Sequence, residues 1–212
     1  MATSPQLKKS KERLIRMFAS QRSTHWRVLI GLSLLWLSHS AFAEFSINFA
    51  QTRLVDDVYL LDAKLNYLLT EVTIEALQNG VPLTLVLTIV VDRDRWYMWD
   101  EHIAQLKQRY QLKYYALSGQ YVVKNLNTEI QETFPSLEAA LTHLGELKDF
   151  PLLDKHLINP DDESYQVYLQ THLDIESLPV PLRPIAYFSS QWRLSSNWYL
   201  CPLQPLKKSK KD

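Results

Sequence analysis

The 212-residue sequence has few of the residues on which several common kinds of site depend. Cys201 is the only cysteine, so no disulfide can form within the chain, and its apolar neighbours predict a buried thiol rather than a reactive one. With only four glycines, the chain has no glycine-rich loop to cradle phosphate, which argues against nucleotide chemistry. No G-x-S-x-G or S-x-x-K sequence indicates a nucleophilic serine.

The part of the chain after residue 43 also lacks the residue spacings that are typical of metal ligands. Its four histidines, His102, His143, His156 and His172, lie far apart and form neither H-x-x-x-H nor H-E-x-x-H. We therefore expect neither a metal nor a cofactor.

The first 43 residues have the features of an export signal. A basic stretch precedes the apolar run VLIGLSLLWL, and Ala41-Phe42-Ala43 matches a cleavage site. The apolar run is short for a membrane span of about 20 residues. We expect cleavage before Glu44 and export to the periplasm; the alternative is an uncleaved membrane anchor. Translation from Met17 rather than Met1 would give a more ordinary signal length.

The overall charge balance depends on this leader. It holds seven of the 23 Lys and Arg residues but one of the 23 Asp and Glu residues, which leaves 16 basic and 22 acidic residues after it. The basic segment 207–212 is predicted to be a disordered tail. Without that tail the counts are 12 and 21, and this acidic balance argues against a nucleic-acid partner. We expect membrane contact only through an uncleaved leader.

Alternation of apolar and polar residues dominates residues 44–206, which are predicted to form a single β-rich domain. Asp56-Asp57 is a plausible hairpin turn, and the strand at 82–91 is apolar on both faces, so it should be central. Lys107, Arg109, Gln111 and Lys113 should lie on a wet face of the next long strand. The strands are predicted at 45–55, 58–67, 82–91, 105–117, 120–126, 128–134, 148–158 and 164–176, with one or two more aromatic strands at 186–203.

Two short helices interrupt the strands. Thr70 should cap the first, which ends at Asn79-Gly80, and Ser136 should cap the second, which Gly145 stops. The prolines at 179, 181 and 184 predict an extended connection. The order of these elements favours an antiparallel β-sandwich or a strongly bent sheet.

The segment DRDRWYMWDE at 92–101 combines charged and aromatic residues and is the strongest candidate for a functional site. Alternation places Arg93 and Arg95 on one face, where Asp100 or Glu101 could pair with them. Adjacent carboxylates on a strand point to opposite faces, which does not favour a catalytic pair. Arginine beside tryptophan is typical of binding hot spots. The structural alternative is that Trp96 and Trp99 cover the end of the core while the charges face water.

An ordered set of motifs resembles a known family. The motifs are R-x-R-W-Y-x-W-D-E at 93–101, N-G-V-P-L at 79–83, Y-x-L-x-Y-x-x-L-x-x-Q-Y at 110–121, F-x-S-L-x-x-A-L at 134–141, L-D-x-x-x-L-P-x-P at 173–181 and W-x-L-S-S-x-W at 192–198. Over residues 54–200 they resemble the uncharacterised exported proteobacterial family called domain of unknown function 4390. The resemblance implies an envelope protein with no assigned activity. It also implies a link to a sensor histidine kinase encoded nearby.

The sequence therefore predicts a noncatalytic periplasmic binding or accessory module, with an envelope protein such as a sensor kinase as its partner. One alternative is a carrier of an apolar ligand or lipid, and a third is a hydrolase that uses Asp100 or Glu101 as its acid or base. The candidate binding surface consists of Arg93, Arg95, Trp96, Trp99, Tyr114, Tyr121, Trp192 and Trp198.

Overall fold

Two antiparallel sheets form the architecture of the computed structural model, which describes residues 44–93, 101–159 and 165–204. The predicted leader and the predicted basic tail lie outside these residues. Nine strands are described: β1 Ser46–Val55, β2 Val58–Asn66, β3 Leu83–Arg93, β4 Glu101–Tyr115, β5 Gln120–Asn125, β6 Gln131–Phe134, β7 Glu146–Asp154, β8 Tyr165–Leu173 and β9 Tyr199–Pro202. The helices are α1 Glu71–Gln78, α2 Leu137–Gly145 and α3 Arg183–Phe188, with 3-10 turns at Lys155–Leu157, Ile175–Ser177 and Val180–Leu182.

The strand order confirms the predicted mainly β, antiparallel fold. The smaller sheet has the order β1-β2-β7, and the larger has the order β6-β5-β4-β3-β8-β9. Asp56 and Asp57, with φ of 45° and 71°, form the two-residue turn between β1 and β2. Two consecutive positive φ values match the twist of a tight hairpin, and aspartate tolerates them better than most residues.

Strand β3 is central, as its two apolar faces predicted. It pairs with β4 on one side and with β8 on the other, and every residue from Leu83 to Ile89 is buried. Alternate residues of β3 pack with inward residues of β2 and β8 in one apolar cluster. Complete burial of one such aliphatic side chain stabilises the fold by about 1.5–3 kcal/mol.

The edges of the two sheets meet at β1 and β9. The hydroxyl of Thr52 donates to the carbonyl oxygen of Pro202 at 3.1 Å and accepts from the backbone N–H of Gln204 at 2.8 Å. The Gln204 side chain in turn accepts from the N–H of Leu54. Side-chain hydrogen bonds thus connect the two edges.

The first two helices begin where the sequence predicts. Thr70 and Ser136 accept hydrogen bonds from the N–H groups of Thr73 and Ala139, as N-caps do. Gly80, with φ of 85°, follows the end of α1. None of the described helices is both long enough and apolar enough to cross a membrane.

Helix α2 ends at Gly145, as predicted, and this glycine has a second role. It is the last residue of α2, and a β-carbon placed on it would lie 2.3 Å from the carbonyl oxygen of Leu65. A glycine is therefore needed here because the helix end lies directly against the backbone of β2.

The segment from residue 179 to residue 203 differs most from the predictions. Its predicted extended connection is instead a 3-10 turn followed by α3, so three short α-helices are described rather than two. Proline fits the first turn of a helix because its φ is already close to helical and its missing N–H is not needed there. Of the aromatic segment, only Tyr199–Pro202 forms a strand, and Ser195 makes an isolated bridge to His172.

Candidate functional site

The ends of β3 and β4 bring together four charged or titratable residues, Asp92, Arg93, Glu101 and His102, which we call the charged end. Arg93 lies opposite Glu101 in the strand register, and the two side chains form an ion pair. The guanidinium carbon of Arg93 lies 6.0 Å from the centre of the Tyr165 ring. The predicted pairing of Arg93 with Glu101 is therefore present.

Asp92 and His102 form a second pair at the charged end. The Nδ1 atom of His102 lies 2.7 Å from Oδ1 of Asp92, next to a register shift in the β3–β4 ladder. The imidazole is about half exposed, at 53%. Arg95, Trp96, Trp99 and Asp100, which complete the predicted cluster and the predicted carboxylate pair, lie outside the described residues.

The other predicted surface residues do not gather at the charged end. Tyr114 and Tyr121 are cross-strand neighbours with ring centres 4.8 Å apart, and both pack against the core. They lie near the opposite end of β4 from Glu101, roughly 40 Å away at about 3.3 Å per residue. Trp192 is a core residue with 4% exposure, whereas Trp198 is half exposed.

The predicted wet face of β4 is present on the outer side of the larger sheet. Lys107 and Arg109 are exposed, and Arg109 donates to Asp174 and Ser177 at 3.0 Å each. Burial opposes ionisation of Asp174, but the hydrogen bonds from Ser177 and Arg109 and the Arg109 charge outweigh it and lower the pKa of this carboxyl. Within the described part of the chain, no three His, Cys, Asp or Glu side chains are grouped to hold a metal.

A groove of about 630 Å³ lies between the end of β2 and helix α2; we call it the β2–α2 groove. Leu137 and Leu141 are one helical turn apart and line it from α2, while Leu65, Tyr67 and Leu68 line it from β2 and the residues that follow. The remaining lining residues are Asn48, Lys64, Asn66, Glu138, Thr142, Gly145 and Glu146. Apolar side chains thus form much of its surface, with polar groups among them.

The groove exists because β2 continues beyond the strand that pairs with it. Strand β7 begins at Glu146, which pairs with Lys64, so the chain beyond Lys64 has α2 rather than β7 beside it. The close approach of Gly145 to Leu65 holds the end of the helix against the strand.

Most of the polar side chains that line the groove have no hydrogen-bond or ion-pair partner among the described residues. The side chains of Lys64, Asn66, Glu138 and Thr142 form no hydrogen bond or ion pair with any residue that the structure describes. A mostly apolar surface with a few convergent polar groups is the usual composition of a binding site.

Tyr67 borders the groove, but the residue is only 4% exposed and belongs to the buried core. Its hydroxyl accepts a hydrogen bond from the Thr171 hydroxyl at 3.3 Å. Burial raises the pKa of Tyr67 to about 12, an effect that this hydrogen bond opposes and nearby Tyr110 reinforces. The phenol therefore stays protonated inside the core at physiological pH.

A smaller pocket of about 320 Å³ adjoins the groove on the outer face of the smaller sheet and shares Lys64 and Glu146 with it. Apart from Lys64, its charged side chains are mutually paired: Arg53 binds Asp62 and Asp149, and Lys148 binds Glu146 at 2.8 Å. The hydrogen bond and charge of Lys148 lower the pKa of Glu146. These pairs leave the larger groove as the better candidate for binding.

None of the groove residues was predicted as functional from the sequence. The cap at Ser136 and the spacing of Leu137 and Leu141 predicted a helix with an apolar face. They did not predict that part of this face would border an open groove. That information was not in the local pattern, because the other wall comes from residues about 70 positions earlier.

Comparisons with known proteins identify the family alone. Neither curated proteins nor solved structures gave a match. A family model described as a domain of unknown function, DUF4390, matches residues 43–202, which include every residue of the charged end and the β2–α2 groove. The chain therefore belongs to the DUF4390 family, as its ordered motifs predicted.

Proposed function

We propose that this protein is a noncatalytic binding module of the cell envelope and that the β2–α2 groove receives a protein partner there. The observation that carries the proposal is the groove itself, which is lined by five apolar residues and by four polar side chains that bind no described residue. Its volume of about 630 Å³ lies within the range of about 300–1,000 Å³ that is usual for small-molecule pockets, so it can also hold a few side chains of a partner. The export signal predicted at 1–43 supports the location, and a sensor histidine kinase is the partner that the family resemblance suggests.

The charged end supports the proposal less strongly. Arg93 and Glu101 bind each other, and Asp92 and His102 do the same. A partner that used these side chains would have to compete with contacts that already exist. A partner that binds in the groove would not have to break ion pairs of this kind.

Site-specific crosslinking in the native host would test the proposal. A photoreactive residue would replace Thr142 at the groove, and a matched one would replace Leu157, an exposed residue of a 3-10 turn. We expect an envelope protein to crosslink at position 142 but not at 157. The crosslink should disappear when Leu141→Asp is added and persist with Arg93→Ala or Trp99→Ala. Loss with the latter two variants and persistence with Leu141→Asp would assign binding to the charged end and overturn the groove proposal.

The apolar lining favours a second candidate function, the transport of an apolar ligand or lipid. Leu65, Leu68, Leu137 and Leu141 could contact a hydrocarbon chain. Native mass spectrometry of protein purified from its host should then show a bound small molecule, and Leu141→Asp should remove it. An unliganded mass for the wild-type protein would count against this function.

A further inference from the structure

The chain at 67–69 continues from β2 but leaves its backbone unused. Strand β2 ends at Asn66, and α1 begins at Glu71. Among the described residues, none donates a hydrogen bond to the carbonyl groups of Tyr67, Leu68 and Leu69 or accepts one from their N–H groups. Tyr67 and Leu68 both line the β2–α2 groove.

Helix α2 provides the opposite wall at a suitable length. Its nine residues extend about 13 Å at 1.5 Å per residue. The same distance accommodates about four residues of an extended peptide at about 3.3 Å each. Leu137, Leu141 and Gly145, each about one turn after the last, line the groove along this length.

This arrangement, unpaired backbone groups beside an apolar helix face, suits the binding of an extended peptide. An extended peptide can hydrogen-bond to the edge as an added strand, while its alternate side chains enter apolar pockets. Backbone hydrogen bonds then hold the peptide, and the pockets select its side chains.

We infer that the β2–α2 groove binds an extended segment of its protein partner by strand addition along residues 67–69. Apolar side chains at alternate positions of that segment contact Leu65, Leu137 and Leu141. This inference rests on the proposed function, because it specifies how the same groove recognises its partner.

Panning a phage-displayed library of random heptapeptides on the full-length protein would provide peptides to test this mode. We expect enriched sequences with apolar residues two positions apart. Calorimetric titration of such a peptide should show at least a tenfold loss of affinity for Leu141→Asp and less than a twofold change for the control Leu157→Asp. Circular dichroism of each variant would establish that it is folded.

Backbone methylation distinguishes strand addition from side-chain docking. Methylating the peptide N–H groups that face β2 should weaken binding at least tenfold, whereas methylation at the alternate positions should change it less than threefold. Bound peptide should also slow hydrogen exchange of the amides at 67–69.

Three results would overturn strand addition: no enriched peptide, equal tolerance of methylation at all positions, or unchanged exchange at 67–69. If binding nevertheless depended on Leu141, the groove would remain a partner site and only the mode of recognition would be wrong. Host crosslinking at position 142 therefore tests the proposed function independently of this experiment.

Discussion

The charged end and the β2–α2 groove use their polar residues in opposite ways. At the charged end, Arg93 binds Glu101 and Asp92 binds His102, so residue types common in binding sites satisfy one another. In the groove, the side chains of Lys64 and Asn66 and the backbone at 67–69 have no such partners within the described residues. The comparison teaches that the same residue types can be satisfied by one another in one region and left unpaired in another, and this difference is why we favour the groove.

The largest expected effect concerns the contact that forms the groove. In Gly145→Ala, the added methyl group would lie 2.3 Å from the Leu65 carbonyl oxygen, so α2 must move away from β2. We expect the free energy of unfolding to fall by about 2–3 kcal/mol, the upper part of the range for overpacking. Urea denaturation would measure this. Thr142→Ala, on the exposed side of the same helix, should change it by less than about 0.5 kcal/mol, and an equally small change for Gly145→Ala would refute the close contact.

The next effect concerns the buried hydroxyl of Tyr67, next to the groove. Because burial raises the pKa of Tyr67 to about 12, while an unfolded tyrosine titrates near 10, the unfolded chain loses this proton first as pH rises. The stabilisation is complete below about pH 10 and is lost as pH rises towards about 12, with about 2 kcal/mol lost by roughly pH 11.5. Urea denaturation between about pH 8 and 11.5 should show a shallower alkaline loss for Tyr67→Phe than for wild type.

Tyr115→Phe is the control for that titration, since Tyr115 is about half exposed. Its alkaline profile should follow wild type. If Tyr67→Phe also followed wild type, the phenol would not be held neutral by burial.

A smaller effect is expected at the charged end. Arg93→Ala removes a partly exposed ion pair with Glu101 and the contact with the Tyr165 ring, each of which contributes about 0.5–1 kcal/mol at such sites. We expect the free energy of unfolding to fall by about 1 kcal/mol, against almost no change for Arg193→Ala, an exposed arginine. A double-mutant cycle with Glu101→Gln would isolate the ion pair, and a coupling energy near zero would mean that the pair does not stabilise the fold.

The smallest effect should come from His102. Its pair with Asp92 is exposed on the histidine side, and such pairs contribute little. We expect His102→Ala to change stability by less than about 0.5 kcal/mol and to leave crosslinking at position 142 intact. A large loss of either would show that the charged end contributes more than its mutual pairs indicate.

Much of the fold was predictable because strand alternation and helix caps are local signals. Alternation predicted a strand at 164–176, and β8 spans Tyr165–Leu173 with every second residue buried. The hairpin at Asp56-Asp57 and the caps at Thr70 and Ser136 were predicted for the same reason. The prolines near residue 180 misled the prediction, because proline suits both an extended segment and the first turn of a helix.

The candidate site was less predictable. Of the eight residues chosen as a binding surface, Trp192 is in the core and the Tyr114–Tyr121 pair lies far from Arg93 along β4. Arg95, Trp96 and Trp99 remain predictions. Aromatic and arginine residues are enriched both in cores and at interfaces, so residue type alone could not distinguish the two.

The sequence by itself determined the strands, the helix caps and the family, since each depends on residues that lie close together or in a fixed order along the chain. Only the tertiary structure decided that α2 would lie beside the unpaired continuation of β2 and leave a groove between them. The physical reason is that β7 pairs with β2 only as far as Lys64, and a glycine at position 145 lets the helix take its place beside the strand.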